Sequence, residues 1–407
     1  MKKSIVITLI FLLFSFFLSC EDYVQNIDSL IDQVEDYRLN DAEQVSFLIN
    51  GVLARFAGVY DNITVLAGGL SDELFFDFNV PNATFPTFQE IDEGDIRLDN
   101  NSVDGVLNQL GELRFLADNL VDRVSNSIAF GDDDESQELK RQALFTGYFM
   151  GGVARYFYAT YIGLDKTQGG GVIDAGPFIP SSDMYDLAIE KLNEAMNYAS
   201  DYEQRVIHTL MARIALFRDD FAGARTHAAL GLQQGDEPYA AHYSIEMNNY
   251  WWVQAGIGRH QWVVDYRFKA YVDADSLEES RIQIAPIIGN DGSTIYYIQV
   301  RYLQDTPLNF LTWQENELIL AEVEVREGNT ASALDRVNAV RASHGLDPLA
   351  SVDLDVIYEE RDKELFTLGT RLADQRRFDR WHLGADTWMY LPITQSERNA
   401  NPNLPKR

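Results

Sequence analysis

The side chains best suited to contact a ligand fall in two aromatic-rich stretches. Phe75, Phe76, Phe78, Phe85 and Phe88 are interleaved with Asn79, Pro81, Asn82 and Pro86, a mixture that disfavours a packed helix. Further on, Asn248 and Asn249 lead into Tyr250, Trp251 and Trp252, followed by Gln254, Arg259, His260 and Trp262; three of the six tryptophans thus lie within twelve residues. Flat rings cover the apolar faces of a sugar or peptide, while amides and guanidinium groups read its polar edge. Phe76, Phe78, Phe85, Tyr250, Trp251, Trp252 and Trp262 are therefore the candidate ligand-binding residues. The same rings are equally suited to filling space between an insertion and a helical scaffold, and the sequence leaves both uses open.

Catalytic patterns are missing. There is no Gly-x-Ser-x-Gly elbow, no His-Glu-x-x-His and no phosphate-binding loop. The six histidines (His208, His227, His242, His260, His344, His382) show no ligand spacing, and Gly169 to Gly171 has no strand or Lys-Ser/Thr beside it. Asp273, Asp275 and Glu278 hint at a calcium loop, but the glycine such a loop requires is absent. With 63 acidic residues, a carboxylate pair at glycosidase spacing is easily found and means little. No catalytic residue, metal or cofactor is expected.

The charge balance narrows the partners. Thirty-three basic residues against 63 acidic ones give a net charge of −30, which repels a phosphate backbone and argues against nucleic acid. It also disfavours heavily sulfated or uronate-rich polymers. The single cysteine excludes an internal disulfide. Lys2 and Lys3 precede an apolar run from Ile5 to Leu18, too short to span a bilayer and of the length of a signal-peptide core. Phe17-Leu18-Ser19-Cys20 resembles a bacterial lipobox, with residues 1–19 removed and Cys20 lipidated; an ordinary signal peptide cleaved near Ser19 is the alternative. Residues 20–40 read as an acidic tether, and Glu21-Asp22 resembles an export signal to the outer cell surface. Two or three acyl chains hold a protein at a membrane where one does not.

The elements that position these residues are mostly helical. Val45, Leu48, Ile49, Val52, Leu53, Phe56 and Tyr60 recur at steps of three and four, as do Val106, Leu110, Leu113, Ala117, Leu120, Val124 and Ile128. Asp132 to Glu135 opens a third long helix rich in Phe and Tyr. Small residues such as Ala188, Ala195, Ala224 and Ala228 at helical steps give residues 183–234 the look of tetratricopeptide helix pairs, and 312–345 repeats the design. Between them, residues 240–310 form an insertion. Ile282 and Ile284, the turn signal Asn290-Asp291-Gly292, then Ile298, Val300 and Tyr302 predict a β-hairpin within it. The fold class expected is mainly α, a helical repeat scaffold with a small β-hairpin or irregular insertion, in one domain over 41–407.

Four segments in order resemble the SusD/RagB family. Ile357 to Arg377 resembles its "ERRxELxxEGxRxxDLRR" helix, and Leu391 to Leu404 its terminal "PIPxxExxxNPNL". Thr312 to Arg341 is similar to its "RYAEVLLMYAEA…INxVRxRxGL" stretch, and Ala143 to Gly163 to its "AxxxRAFxYFxLVRxYG" helix. Thr312, Leu368 and Thr394 depart from the usual Arg, Glu and Pro. The resemblance implies an outer-membrane lipoprotein that captures an oligomeric nutrient, an oligosaccharide before a peptide. It also implies delivery to a SusC-like TonB-dependent transporter β-barrel, on which the lipoprotein sits as a lid. A repeat scaffold that binds a protein partner and no nutrient is the rival reading. The charged residues Glu360, Arg361, Glu364, Arg371, Asp374 and Arg377 are expected to pair at i,i+3 and i,i+4 and tie their helix to its neighbours.

Overall fold

A computed structural model describes residues 36–406; the leader, Cys20 and most of the tether lie outside them. The first long helix, α1 (Val45–Leu70), is buried along most of its C-terminal half. Strand β1 (Leu74–Phe75) and the short α2 (Pro86–Asp92), which has Pro at its start, precede α3 (Asn101–Asn126). Asn100 caps α3 by accepting from the amides of Ser102 and Val103, and Asp133 caps α4 (Asp134–Tyr161) through the amide of Ser136. Helices α1, α3 and α4 pack mutually, with Phe56, Tyr60 and Phe157 stacked at 5.7–6.4 Å between them.

Short strands β2 (Ile162–Gly163), β3 (Gly170–Gly171) and β4 (Ile179–Pro180) follow. Gly170 and Gly171 pair antiparallel with β4, an approach that the lack of a side chain permits, since a Cβ on Gly170 would stand 2.2 Å from the Ile179 carbonyl oxygen. Helices α5 (Ser181–Met196), α6 (Asp201–Phe217) and α7 (Phe221–Ala228) form the predicted helical pairs. Ser200 and Glu203 close α6 with a reciprocal capping box.

The insertion comprises β5 (Tyr239–Ala241), α8 (Tyr250–Ala255), β6 (Val263–Val264), α9 (Tyr266–Ala274), β7 (Ile284–Ile288), β8 (Ile295–Gln299) and β9 (Leu308–Leu311). The hairpin forms as expected: β7 and β8 are antiparallel from Ile284↔Gln299 to Ile288↔Ile295, and Gly292 takes φ +74° in the turn. Strand β6 returns to pair with β1 of the scaffold, while β5 pairs with β9 and brings the two ends of the insertion together.

Helix α10 (Trp313–Arg326), capped by Thr312, then packs on α7 and on α11 (Thr330–Ser343), resuming the repeat. Buried Arg213 of α6 donates from Nε to Glu315 of α10 at 2.6 Å and from a terminal nitrogen to the Phe310 carbonyl at 2.5 Å. Removing one partner of such a buried pair costs about 3–5 kcal/mol, since the other charge stays desolvated. The remaining elements are α12 (Leu354–Glu364), α13 (Arg371–Arg377), β10 (Leu391–Pro392), parallel to β2, and α14 (Gln395–Ala400).

The charged C-terminal stretch differs from expectation. It is two helices, broken where Thr367 and Gly369 take positive φ, and its charges are buried. Of the six residues expected to pair at helical spacing, Asp374 and Arg377 do so, at 2.7 Å, and Glu359 with Lys363 adds an i,i+4 pair at 2.6 Å. Arg361 reaches Asp374 at 2.9 Å, Arg371 reaches Asp72 at 2.6 Å, and Glu360 meets Arg281 and Arg341 at 2.9 and 2.7 Å. These charges join the C-terminal helices to the rest of the protein and do not decorate a solvated face.

Candidate functional site

The two aromatic stretches, about 170 residues apart in sequence, meet in space. Segment 76–85 leaves β1 as a loop held by Pro81 and by Asn82 at φ +71°, and Asp77 fastens its start by accepting from the amide of Asn79 at 2.8 Å. Segment 256–262 follows α8, with His260 at φ +42°. Buried Gln261 is the tie between them. Its Oε1 accepts from the amides of Thr84 and Phe85 at 2.8 and 3.3 Å, and its Nε2 donates to the Asn82 carbonyl. Arg259 donates to Thr84 Oγ1 at 3.2 Å and lies 4.4 Å over the Phe85 ring; Asn82 meets His260 at 3.3 Å.

Burial divides the candidate residues. Trp251, Trp262 and Phe76 are buried and form the floor, so direct ligand contact by these three is corrected to a supporting role. Trp262 stacks on Phe88 at 5.0 Å and meets Phe76 edge-on at 6.2 Å, while Trp251 Nε1 donates to Thr64 at 2.9 Å. Apolar rings of this size are drawn inside unless a binding surface needs them. Phe78 is 54% exposed, edge-on to Phe76 at 4.9 Å; Phe85, Tyr250 and Trp252 are half-buried. Burial beside Asp61 pushes the Tyr250 hydroxyl up to about 12, so it stays a neutral donor at ordinary pH. The accessible lip is thus Phe78, Phe85 and Arg259, with polar Asn82 and His260 between.

The hairpin extends this surface. Asn79 donates to Tyr296 at 3.1 Å and accepts from the amide of Asp291 at 3.0 Å; its carbonyl accepts from the amide of Asn290 at 2.7 Å. The inward hairpin face buries Tyr296 and Ile298, but the outward face is also apolar, carrying Ile284, Pro286, Ile288, Ile295 and Tyr297. With α9 it encloses a groove of about 760 Å³ whose rim carries Lys269, Asp273, Glu279 and Gln283. Ligand clefts commonly measure roughly 300–1,000 Å³. The aromatic contacts Tyr266–Tyr297 at 6.2 Å and Phe75–Tyr266 at 5.4 Å carry the surface from groove to lip. Tyr266 and Tyr297 were not among the candidate residues; the apolar residues on both faces of the hairpin were the available signal.

Asp273 pairs with Lys269, Asp275 caps a turn at the amide of Leu277, and Glu278 is buried against Arg281 at 2.6 Å, which separates the three would-be calcium ligands. His208 and His227 do approach, Nδ1 to Nδ1 at 3.1 Å, yet no group of three metal-ligating side chains occurs among the described residues.

No protein-family model and no curated protein sequence matches the chain. Solved structures do. A SusD superfamily protein from Bacteroides thetaiotaomicron VPI-5482 superposes with TM-score 0.72 at 16% identity, covering 90% of this chain and 99% of that one. A laminarin-binding SusD-like protein gives 0.68 at 14% identity, with 87% and 96% covered. Surface glycan-binding protein A from Bacteroides uniformis gives 0.66 at 13% identity, with 89% and 98% covered. This chain therefore has the SusD-like fold, a mainly helical scaffold with small β insertions.

Proposed function

We propose that this chain is a non-catalytic, lipid-anchored surface lipoprotein that binds a neutral oligosaccharide across the Phe78–Phe85–Arg259 lip and the adjoining hairpin groove. It passes that ligand to a SusC-like TonB-dependent transporter in the outer membrane. The observation that carries this reading is an exposed ring, Phe78, and a guanidinium–ring pair, Arg259 over Phe85, held on a floor of buried tryptophans beside an open groove. An exposed ring on a rigid floor offers a stacking surface whose ordering cost is already met by folding. Two of the similar structures are named for laminarin or surface-glycan binding, which favours a saccharide over a peptide.

Calorimetric titration of the detergent-solubilised full chain with neutral glucan oligosaccharides, charged oligosaccharides and peptides tests this. Saturable binding to a neutral oligosaccharide is expected, weakened about tenfold, or about 1.4 kcal/mol, by Phe78→Ala or Arg259→Ala. Saturable binding of peptides alone, or saccharide binding that ignores both substitutions, would overturn it. Delivery is tested separately by copurification of the tagged chain with a β-barrel from the same membrane.

A further inference from the structure

A second cavity, of about 620 Å³, lies between α3, α4 and α14 and shares no residue with the lip or the hairpin groove. One stripe of α3 lines it: Asn108, Gly111, Glu112 and Phe115 stand at i, i+3, i+4 and i+7 and so share a face. Phe115 is 55% exposed, an uncovered ring on an otherwise ordinary amphipathic helix. Opposite it, α14 contributes Glu397, and Asn401 follows directly. The terminal motif noted in the sequence thus borders this cavity as well as closing the fold.

The floor is Tyr158, only 4% exposed. The root of its ring lies against Gly171, where a Cβ would stand 2.5 Å from the ring. Its hydroxyl lies at the other end, 3.6 Å from where a Cβ on Gly111 would stand, and so faces the cavity. That hydroxyl makes no hydrogen bond among the described residues, and neither does the Glu397 carboxylate. The Tyr158 oxygen is not sealed from solvent as those of Tyr156 and Tyr302 are, so it opens onto the cavity and is free to donate to water or to a ligand. Arg114 closes one wall and is itself fixed, pairing with Asp118 at 3.5 Å and with Asp174.

We propose that this cavity is a second saccharide subsite, in which Phe115 stacks on a sugar face while Tyr158 donates to, and Glu397 accepts from, its hydroxyl groups. An aromatic platform beside one free donor and one free carboxylate suits a neutral polyol ring. The cavity lining sets three carboxylates, Glu112, Asp174 and Glu397, against one guanidinium, Arg114, already paired with Asp174, a balance that does not favour an anion.

Calorimetry on the full chain with neutral glucose- and galactose-based di- and tetrasaccharides tests the proposal. The expected result is two binding events per chain. Gly111→Leu, whose Cβ fits at ordinary contact distance, fills the cavity and removes one of them. Tyr158→Phe weakens that same event at least fivefold with Tm unchanged, because the hydroxyl it removes has no partner to lose. Phe78→Ala weakens only the other event, about tenfold. Binding that neither Gly111→Leu nor Tyr158→Phe alters, or no Gly111-dependent binding to any of these saccharides, overturns the proposal. Gly111-dependent binding that persists without any Phe78-dependent event supports this subsite and overturns the reading of the lip.

Discussion

Glu73 shows what burial does to a single residue. It is almost fully buried, its Oε1 accepts from the amide of Thr367 at 3.2 Å, and its Oε2 has no partner. Burial, reinforced by the nearby Asp362 charge, raises its pKa from 4.5 to about 8. Between those values the folded chain holds a proton that the unfolded chain releases. The stabilisation is therefore complete below about pH 4.5 and is lost as pH rises toward 8, at up to about 1.4 kcal/mol per pH unit. Glu73→Gln keeps the acceptor for Thr367 and removes the titration. Urea midpoints from pH 5 to 8 should fall less steeply in this variant than in the parent, and parallel profiles would sink the assignment. The candidate rings teach a related lesson. Trp251 and Trp252 are neighbours of the same type, yet one is buried and the other half-buried. Residue type identified the binding chemistry but could not tell them apart, because accessibility depends on what the chain packs above each ring.

At the scale of elements, the insertion and the first helix are fitted to each other at Gly69. In α1 an alanine would ordinarily gain about 1 kcal/mol of helix stability over glycine. Here its Cβ would stand 2.3 Å from Trp262 Cη2 in a ring clamped between Phe88 and Phe76. Gly69→Ala should therefore destabilise the chain by about 1–3 kcal/mol, the usual range for overpacking. Denaturant unfolding measures this, and an unchanged or raised midpoint would show that Trp262 is free to move. The helices themselves were plain in the sequence: α1 and α3 follow the three-and-four spacing, and α4 is announced by its acidic start and its run of Phe and Tyr. Hairpin β7–β8 was equally plain from its alternation and its Asn-Asp-Gly turn. The two-residue strands β1, β2, β3, β4, β6 and β10 were not, since so short a pairing leaves no periodicity to read and is set by whichever segment lies alongside.

For the whole molecule the dominant quantity is the net charge of −30. Long-range repulsion falls off over a Debye length of about 10 Å at 0.1 M salt. A uronate or sulfated oligosaccharide should thus bind weakly at low salt and more tightly as salt rises, whereas a neutral oligosaccharide of equal length should be nearly indifferent. Titrations at about 20 and 300 mM salt separate the two, and an anionic ligand that binds best at low salt would reveal a local basic site stronger than the global field.

Composition and spacing alone determined that the protein is helical, acidic, interrupted by a hairpin-bearing insertion and built on paired repeats. These properties are local or additive, so a linear chain displays them. Tertiary structure alone decided that residues 76–88 and 250–262 form one surface, that Phe78 and not Trp262 is exposed on it, and that Arg361, Arg371 and Arg377 are buried ties across elements. Each of those outcomes depends on which distant segment supplies the neighbour, and neighbours are fixed only when the whole core closes.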